Sequence, residues 1–112
     1  MSATQRNESR FAAITNAAGP GTYDVIAAVA GKSIVVVNLN FTLTGTTPTA
    51  LFQDTTPTAL SGAFGVATAF AMHGSRMDPL MSTAKGAGLQ MVLTGTSAQV
   101  RGCITYYLED GQ

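Results

Sequence analysis

Three groups of residues in this chain have types and spacings that chemistry could use. The first is Gly31-Lys32-Ser33, the closing half of a phosphate-binding loop. Such a loop wraps phosphates with consecutive backbone N–H groups and needs an earlier glycine, five residues before the closing one. Ile26 holds that place, inside the apolar run Val25-Ile26-Ala27-Ala28-Val29. The loop also needs a helix after the Ser, so that the helix N-terminus faces the anion. Ser33 instead leads into Ile34-Val35-Val36-Val37-Asn38-Leu39-Asn40-Phe41-Thr42-Leu43, dense in β-branched and aromatic residues. Gly31 therefore reads as a tight turn between strands.

The second group is His73, Ser75 and Asp78, the side-chain types of a nucleophile, a base and its orienting acid. A triad needs a positioned base and an oxyanion hole, and closeness along one loop provides neither. His73 is also the only histidine, which excludes a histidine-based zinc site within one chain. The third group is the carboxylates Glu8, Asp24, Asp54, Asp78, Glu109 and Asp110, which are scattered. Asp24 with Asp54 has the makings of a glycosidase pair, but nothing singles it out. Cys103 is the only thiol, so there is no internal disulfide and no cysteine-rich metal site. It reads as a small packing residue in an alternating run. The expectation is a protein that is not an enzyme and carries no cofactor.

Composition points the same way. The 112 residues suit one domain with a modest core, and 46% are hydrophobic, too many for a disordered tail. Charged residues make up only 11%, against about 25% in an average soluble domain. Six basic side chains balance six acidic ones without a block of either sign, so no nucleic-acid surface is visible. A surface with so little charge is poorly protected as a monomer, which suggests cover by partner subunits. No run approaches the roughly 20 apolar residues of a membrane span. The polar start, Met1 to Glu8, lacks an apolar signal core, so synthesis in the cytoplasm is expected and the sequons at Asn7 and Asn40 are discounted.

The elements that must position these groups are strands. Residues 1–9 read as a flexible or partner-docked arm. Arg10 to Thr15 reads as a short strand or a helical turn, and Asn16 to Gly21 breaks it. Tyr23 to Val29 and Lys32 to Thr44 read as two strands of a hairpin, joined at Ala30-Gly31. In the second of them Val35, Val37, Leu39, Phe41 and Leu43 share one parity, and Asn38, Asn40, Thr42 and Thr44 the other. Thr46-Thr47-Pro48-Thr49-Ala50-Leu51 returns as Thr55-Thr56-Pro57-Thr58-Ala59-Leu60, two Thr/Pro turns around a short strand near Ala50 to Gln53. Ala59 to Phe64, Val66 to Met72 and Leu80 to Thr83 supply further short strands. Leu89 to Thr94 and Val100 to Leu108 form a closing pair about the turn Gly95-Thr96-Ser97-Ala98, and Gly102 marks a bulge or a close approach. Tyr106 and Tyr107 face opposite ways. About eight short strands at this spacing give an all-β sandwich or barrel.

The order Arg10-Phe11-Ala12-Ala13-Ile14, then Val25-Ile26-Ala27-Ala28-Val29-Ala30-Gly31-Lys32-Ser33-Ile34-Val35-Val36, resembles small structural proteins of tailed bacteriophages. Ala84-Lys85-Gly86-Ala87-Gly88-Leu89 and the closing Val100 to Tyr107 extend the resemblance over roughly residues 10–108. The repeated TTPTAL and the loop Arg76-Met77-Asp78, where an aromatic is often found, depart from that pattern. The resemblance implies a single-domain, jelly-roll-like antiparallel β-sandwich of residues 10–108, with an extended N-terminal arm (1–9) and a short polar tail (109–112). It further implies a homotrimeric capsid decoration (cement) protein on the virion surface, whose partners are the major capsid protein and itself. A head- or tail-fibre module is the alternative. The residues expected to touch the shell or a neighbouring protomer are Thr4, Gln5, Arg6, Asn7, Arg10, Phe11, Arg76, Met77 and Tyr107.

Overall fold

The computed structural model describes residues 9–16, 19–65, 67–75 and 77–110. The expected all-β, antiparallel architecture is what these residues form, and no helix occurs among them. Six strands are present among the described residues: β1 (Arg10–Asn16), β2 (Gly21–Ile26), β3 (Lys32–Asp54), β4 (Ala67–His73), β5 (Met81–Ser82) and β6 (Leu89–Asp110). β3 and β6 pair antiparallel from Lys32↔Asp110 to Asp54↔Leu89 and make the spine. β1 and β2 lie end to end along the free side of β6, and β4 and β5 along the free side of β3.

The number of strands differs from the sequence expectation because two pairs of expected strands are each one long strand. Lys32 to Thr44 and the segment around Ala50 to Gln53 are both β3, with 23 residues; Leu89 to Thr94 and Val100 to Leu108 are both β6, with 22. The turn signals between them are real but make bends. Were β3 straight, Phe41 and Phe52 would stand roughly 35 Å apart at about 3.3 Å per residue. Their ring centroids are 6.3 Å apart. The spine is therefore folded over, and the two halves of one sheet face each other across the core. Strands that pass between layers through bulges are a known way to build such a corner.

Both strands bend at the same level. Gly45 (φ +135°) and Thr47 (φ 44°) lie in β3, Gly95 (φ +103°) and Ser97 (φ 58°) in β6, and the ladder slips at Thr44/Thr46 and Thr46/Thr49. These positive φ values suit glycine, which has no Cβ to clash. Close approach makes the requirement stricter. A Cβ on Gly45 would lie 2.9 Å from the Cα of Ala98, and one on Gly95 2.8 Å from the Cα of Pro48. The first TTPTAL copy thus forms the corner, with Pro48 buried there.

Beyond the corner, one layer holds β1, β4, β5 and residues 32–44 and 99–110; the other holds β2 and residues 49–54 and 89–94. Ile14, Leu39, Phe41, Leu43, Val100 and Ile104 of the first layer meet Ile26, Phe52, Leu89, Met91 and Leu93 of the second. Phe64 closes the middle by an edge contact with Phe41 at 5.7 Å. The segment expected as a strand over Ala59 to Phe64 makes only isolated bridges, Gln53↔Ala59 and Ala50↔Phe64.

The Ala30-Gly31 turn is where the sequence puts it: Lys32 N–H donates to the Val29 carbonyl at 3.1 Å, and Gly31 has φ +75°. It does not join a hairpin, however. β2 pairs with the start of β6, while the beginning of β3 pairs with its end, so the turn carries the chain from one layer to the other. The expected parity of β3 also breaks. A register shift between Val36 and Asn38 inserts a residue, so Ile34 and Val36 share the main core with Leu39, Phe41 and Leu43. Val35 and Val37 join Tyr107 in a separate buried cluster. One extra residue is enough, because strand side chains alternate with a period of two. Glu109 and Asp110 extend β6, and Lys32 forms an ion pair with Asp110.

Candidate interaction face

The first layer presents an outer face whose rows are set directly by the ladder. Phe11, Thr105, Asn38 and His73 form one row across β1, β6, β3 and β4; Ala13, Cys103, Asn40 and Ala71 form the next. Thr15, Arg101 and Thr42 continue it. Four strands at about 4.8 Å spacing make the face roughly 15 Å wide. These side chains are exposed or half-buried, and Phe11 keeps 75% of its surface open. The polar parity read from the sequence, Asn38-Asn40-Thr42-Thr44, is this face.

Within these rows Arg101 is the single charged side chain among the described residues. The other polar groups are amides, hydroxyls, a thiol and an imidazole. His73 Nδ1 lies 3.3 Å from Asn38 Oδ1, and the Cys103 thiol donates to Asn40 Oδ1 at 3.6 Å. Cys103 therefore sits on the outer face and not in the core. Low charge with a protruding aromatic is the composition of the centre of a protein–protein interface.

Among the described residues, the members of the candidate constellations hold other partners. His73 meets Asn38, while Ser75 Oγ accepts from the Asp78 N–H at 3.1 Å and closes a turn with it. Asp24 Oδ1 accepts from the Gln90 amide, whose own oxygen accepts from Gln53. Asp54 is instead a structural anchor. It is 2% exposed; Oδ1 accepts from Thr56 N–H at 3.0 Å, Thr58 N–H at 2.9 Å and the Thr56 hydroxyl, and Oδ2 from Ala84 N–H at 3.1 Å. Burial opposes the charge, but the hydrogen bonds outweigh it and hold the carboxyl below its ordinary pKa. A folded-state pKa below the unfolded value means a contribution that is complete above about pH 4 and lost as pH falls through the folded value. Asp54→Asn is expected to cost about 2 kcal/mol at pH 7 and to flatten the acid limb of stability, read from urea melts between pH 7 and pH 3. An unchanged acid limb would show that Asp54 is not the group being titrated.

Of the residues expected to make contacts, Phe11 is exposed on the edge strand of this face; Arg10, also exposed, pairs with Tyr106 and belongs to the opposite side of β1; and Met77, 97% exposed, stands on the loop after β4. Tyr107 is 5% exposed and packs with Val35 and Val37, so its ring belongs to the chain's own interior. Tyr106 packs on the opposite side against the main core, as the alternation requires. Thr4, Gln5, Arg6, Asn7 and Arg76 lie outside the described residues. Sequence reading missed the cross-strand part of the face, Ala13, Thr15, Ala71, Arg101, Cys103 and Thr105. Strand parity carried the signal, but the pairing of distant strands was needed to make rows of it.

No protein-family model matches this chain, and no curated protein matches it. Among the solved structures similar to it are two from viruses. One is infectious bursal disease virus, Gx strain, at 16% identity and a TM-score of 0.45, over 96% of this chain and 33% of that one. The other is the enzymatically active domain of tailspike protein 4 of bacteriophage CBA120, at 12% identity and a TM-score of 0.27, over 90% of this chain and 19% of that one. The present chain thus spans a third or less of the length of each.

Proposed function

We propose that this chain is a non-enzymatic virion structural protein of a tailed bacteriophage. In this reading it is a capsid decoration (cement) protein, bound as a homotrimer to the outer surface of the major capsid shell and bracing it against internal DNA pressure. The observation that carries the reading is the outer face on which, in the rows from Phe11–His73 to Thr15–Thr42, Arg101 is the single charged side chain among the described residues and Phe11 is largely exposed. Such a surface works by area. The sequence resemblance to tailed-phage structural proteins supplies the shell as partner, and the folded-over sheet is read as jelly-roll-like. A trimer repeated over a shell gains avidity, because each weak contact is assisted by its neighbours.

Purified protein added to undecorated, expanded phage heads is expected to bind at a fixed stoichiometry, counted by quantitative gel densitometry of pelleted particles. Adsorption to host cells with no binding to heads would replace the decoration role by a fibre role. Residues 1–9 are assigned to anchoring on the shell, in the manner of an extended segment added to a neighbour's strand edge. Deleting residues 1–9 is expected to lower head occupancy at least tenfold at the same protein concentration. Undiminished occupancy would remove the arm from the mechanism.

A further inference from the structure

The two lateral edges of the first layer match each other. The layer is ordered β1-β6-β3-β4, and every neighbouring pair is antiparallel. With an even number of strands, the edges β1 and β4 run in opposite directions. Each edge strand has 7 residues. They also stand at the same level: Phe11 shares a row with His73, Ala13 with Ala71, and Asn16 leads through Val100 and Leu43 to Ala67. A second copy rotated about an axis parallel to the strands therefore brings its β1 alongside β4, antiparallel and without offset.

Neither edge carries the usual protection. Exposed edges are normally blunted by lysine, proline, inward charges or a covering segment. β1 reads RFAAITN and β4 ATAFAMH, with no carboxylate, lysine, proline or glycine in either. Arg10 at the end of β1 is the one charge, and it meets no like charge on β4. Among the described residues no strand pairs with the outer side of β1 or β4. Unblunted edges of matched polarity, length and level are what a head-to-tail strand contact requires.

We infer that copies of this chain associate head to tail through their sheet edges, β4 of one protomer antiparallel to β1 of the next, in a closed ring. Such a contact is heterologous, and it gives a ring where the rotation closes and an open fibre where it does not. The inference rests on the homotrimer of the proposed function and specifies the surface that builds it. Joining the edges also makes the rows of the outer face continuous from protomer to protomer around the ring.

The test combines mass, edge charge and cross-linking. Light scattering of the unaltered protein is expected to give a fixed oligomer, three times the mass of the 11.5 kDa chain. Ala13→Lys and Ala71→Lys place lysine beside each edge at exposed positions, and each is expected to lower that mass threefold with the circular dichroism spectrum retained. As a second measurement, Ala13→Cys with Ala71→Cys in a Cys103→Ser background is expected to form disulfide-linked dimers and trimers on mild oxidation. The single Ala13→Cys variant is expected to remain uncrosslinked. A trimer that survives both lysine variants and does not cross-link overturns the edge contact and leaves the trimer standing. Cross-linking by Ala13→Cys alone overturns it in favour of a two-fold β1–β1 contact. A monomer at all concentrations, or a polymer that keeps growing with concentration, overturns the ring, while binding to heads is read separately.

Discussion

Gly102→Ala is expected to leave the chain unable to fold. Gly102 stands opposite Phe41 in the β3–β6 ladder, with its missing side chain aimed at the neighbouring backbone. A Cβ there would overlap the carbonyl oxygen of Asn40 and lie 2.6 Å from the Cα and 2.7 Å from the Cβ of Phe41. Flexible side-chain ends can move aside; main-chain atoms in the middle of a ladder cannot without breaking it. Phe41 is moreover wedged against Phe52 and Phe64 and has nowhere to retreat. The cost is expected to exceed about 4 kcal/mol, a large share of the roughly 5–15 kcal/mol that holds a domain together. Soluble yield and a urea melt measure it, with Arg101→Ala as the neighbouring control, expected to change stability by no more than about 0.5 kcal/mol. A Gly102→Ala protein that melts like the original would mean the Phe41–Gly102 register is wrong.

The second large effect belongs to the corner. Gly95→Ala places a Cβ 2.8 Å from both the Cα of Pro48 and the carbonyl oxygen of Thr47, at a backbone angle that side chains rarely adopt. Gly45→Ala does the same against Ala98 and Ser97 from the other strand. Each is expected to cost about 3 kcal/mol, from strain and displaced backbone together. The two sites share one bend, so a corner already forced open by the first methyl should resist the second less. The double variant is therefore expected to lose less than the sum of the singles, by about 0.5 kcal/mol or more on the general scale of coupled sites. Thermal melts of the four proteins test this. Strict additivity would show that the two glycines act at separate bends.

Gly102 also illustrates how much was legible in the sequence. Its gap in an otherwise apolar face marks a bulge or a close approach on inspection of Val100 to Leu108 alone, and the structure selects the second. The all-β class, the antiparallel pairing, the Gly31 turn and the polar parity of Asn38 to Thr44 are equally local, because each depends on alternation or on one turn residue. What failed was whatever depends on distant partners. Gly45 and Gly95 look like hairpin turns in sequence, since a glycine that bends a continuous ladder and one that ends it have the same local chemistry. Parity alone assigns Val35 and Val37 to the wrong cluster, because a bulge leaves no mark in a run of valines. The outer face was half visible: β3 showed its Asn and Thr residues, but Arg101, Cys103 and Phe11 join them only through the pairing. Tyr107 shows the limit from the other side, since an amphipathic ring near the chain end suits an interface until a second apolar cluster is seen around it.

The position of β6 in this sheet has a consequence for how the protein comes off the ribosome. β1, β2 and β3 all hydrogen-bond to β6, and residues 89–110 are made after every one of them. Synthesis adds about 5–20 residues per second. For several seconds, then, the earlier strands are present without the neighbour they are built to bind, and β3 has only β4 and β5 for company. Long-range pairing of this kind is intrinsically slow to form and exposes strand edges while it waits. A nascent chain stalled before residue 89 should therefore be protease-sensitive throughout. One extended past residue 110, with β6 clear of the exit tunnel, should acquire resistance in all its layers together.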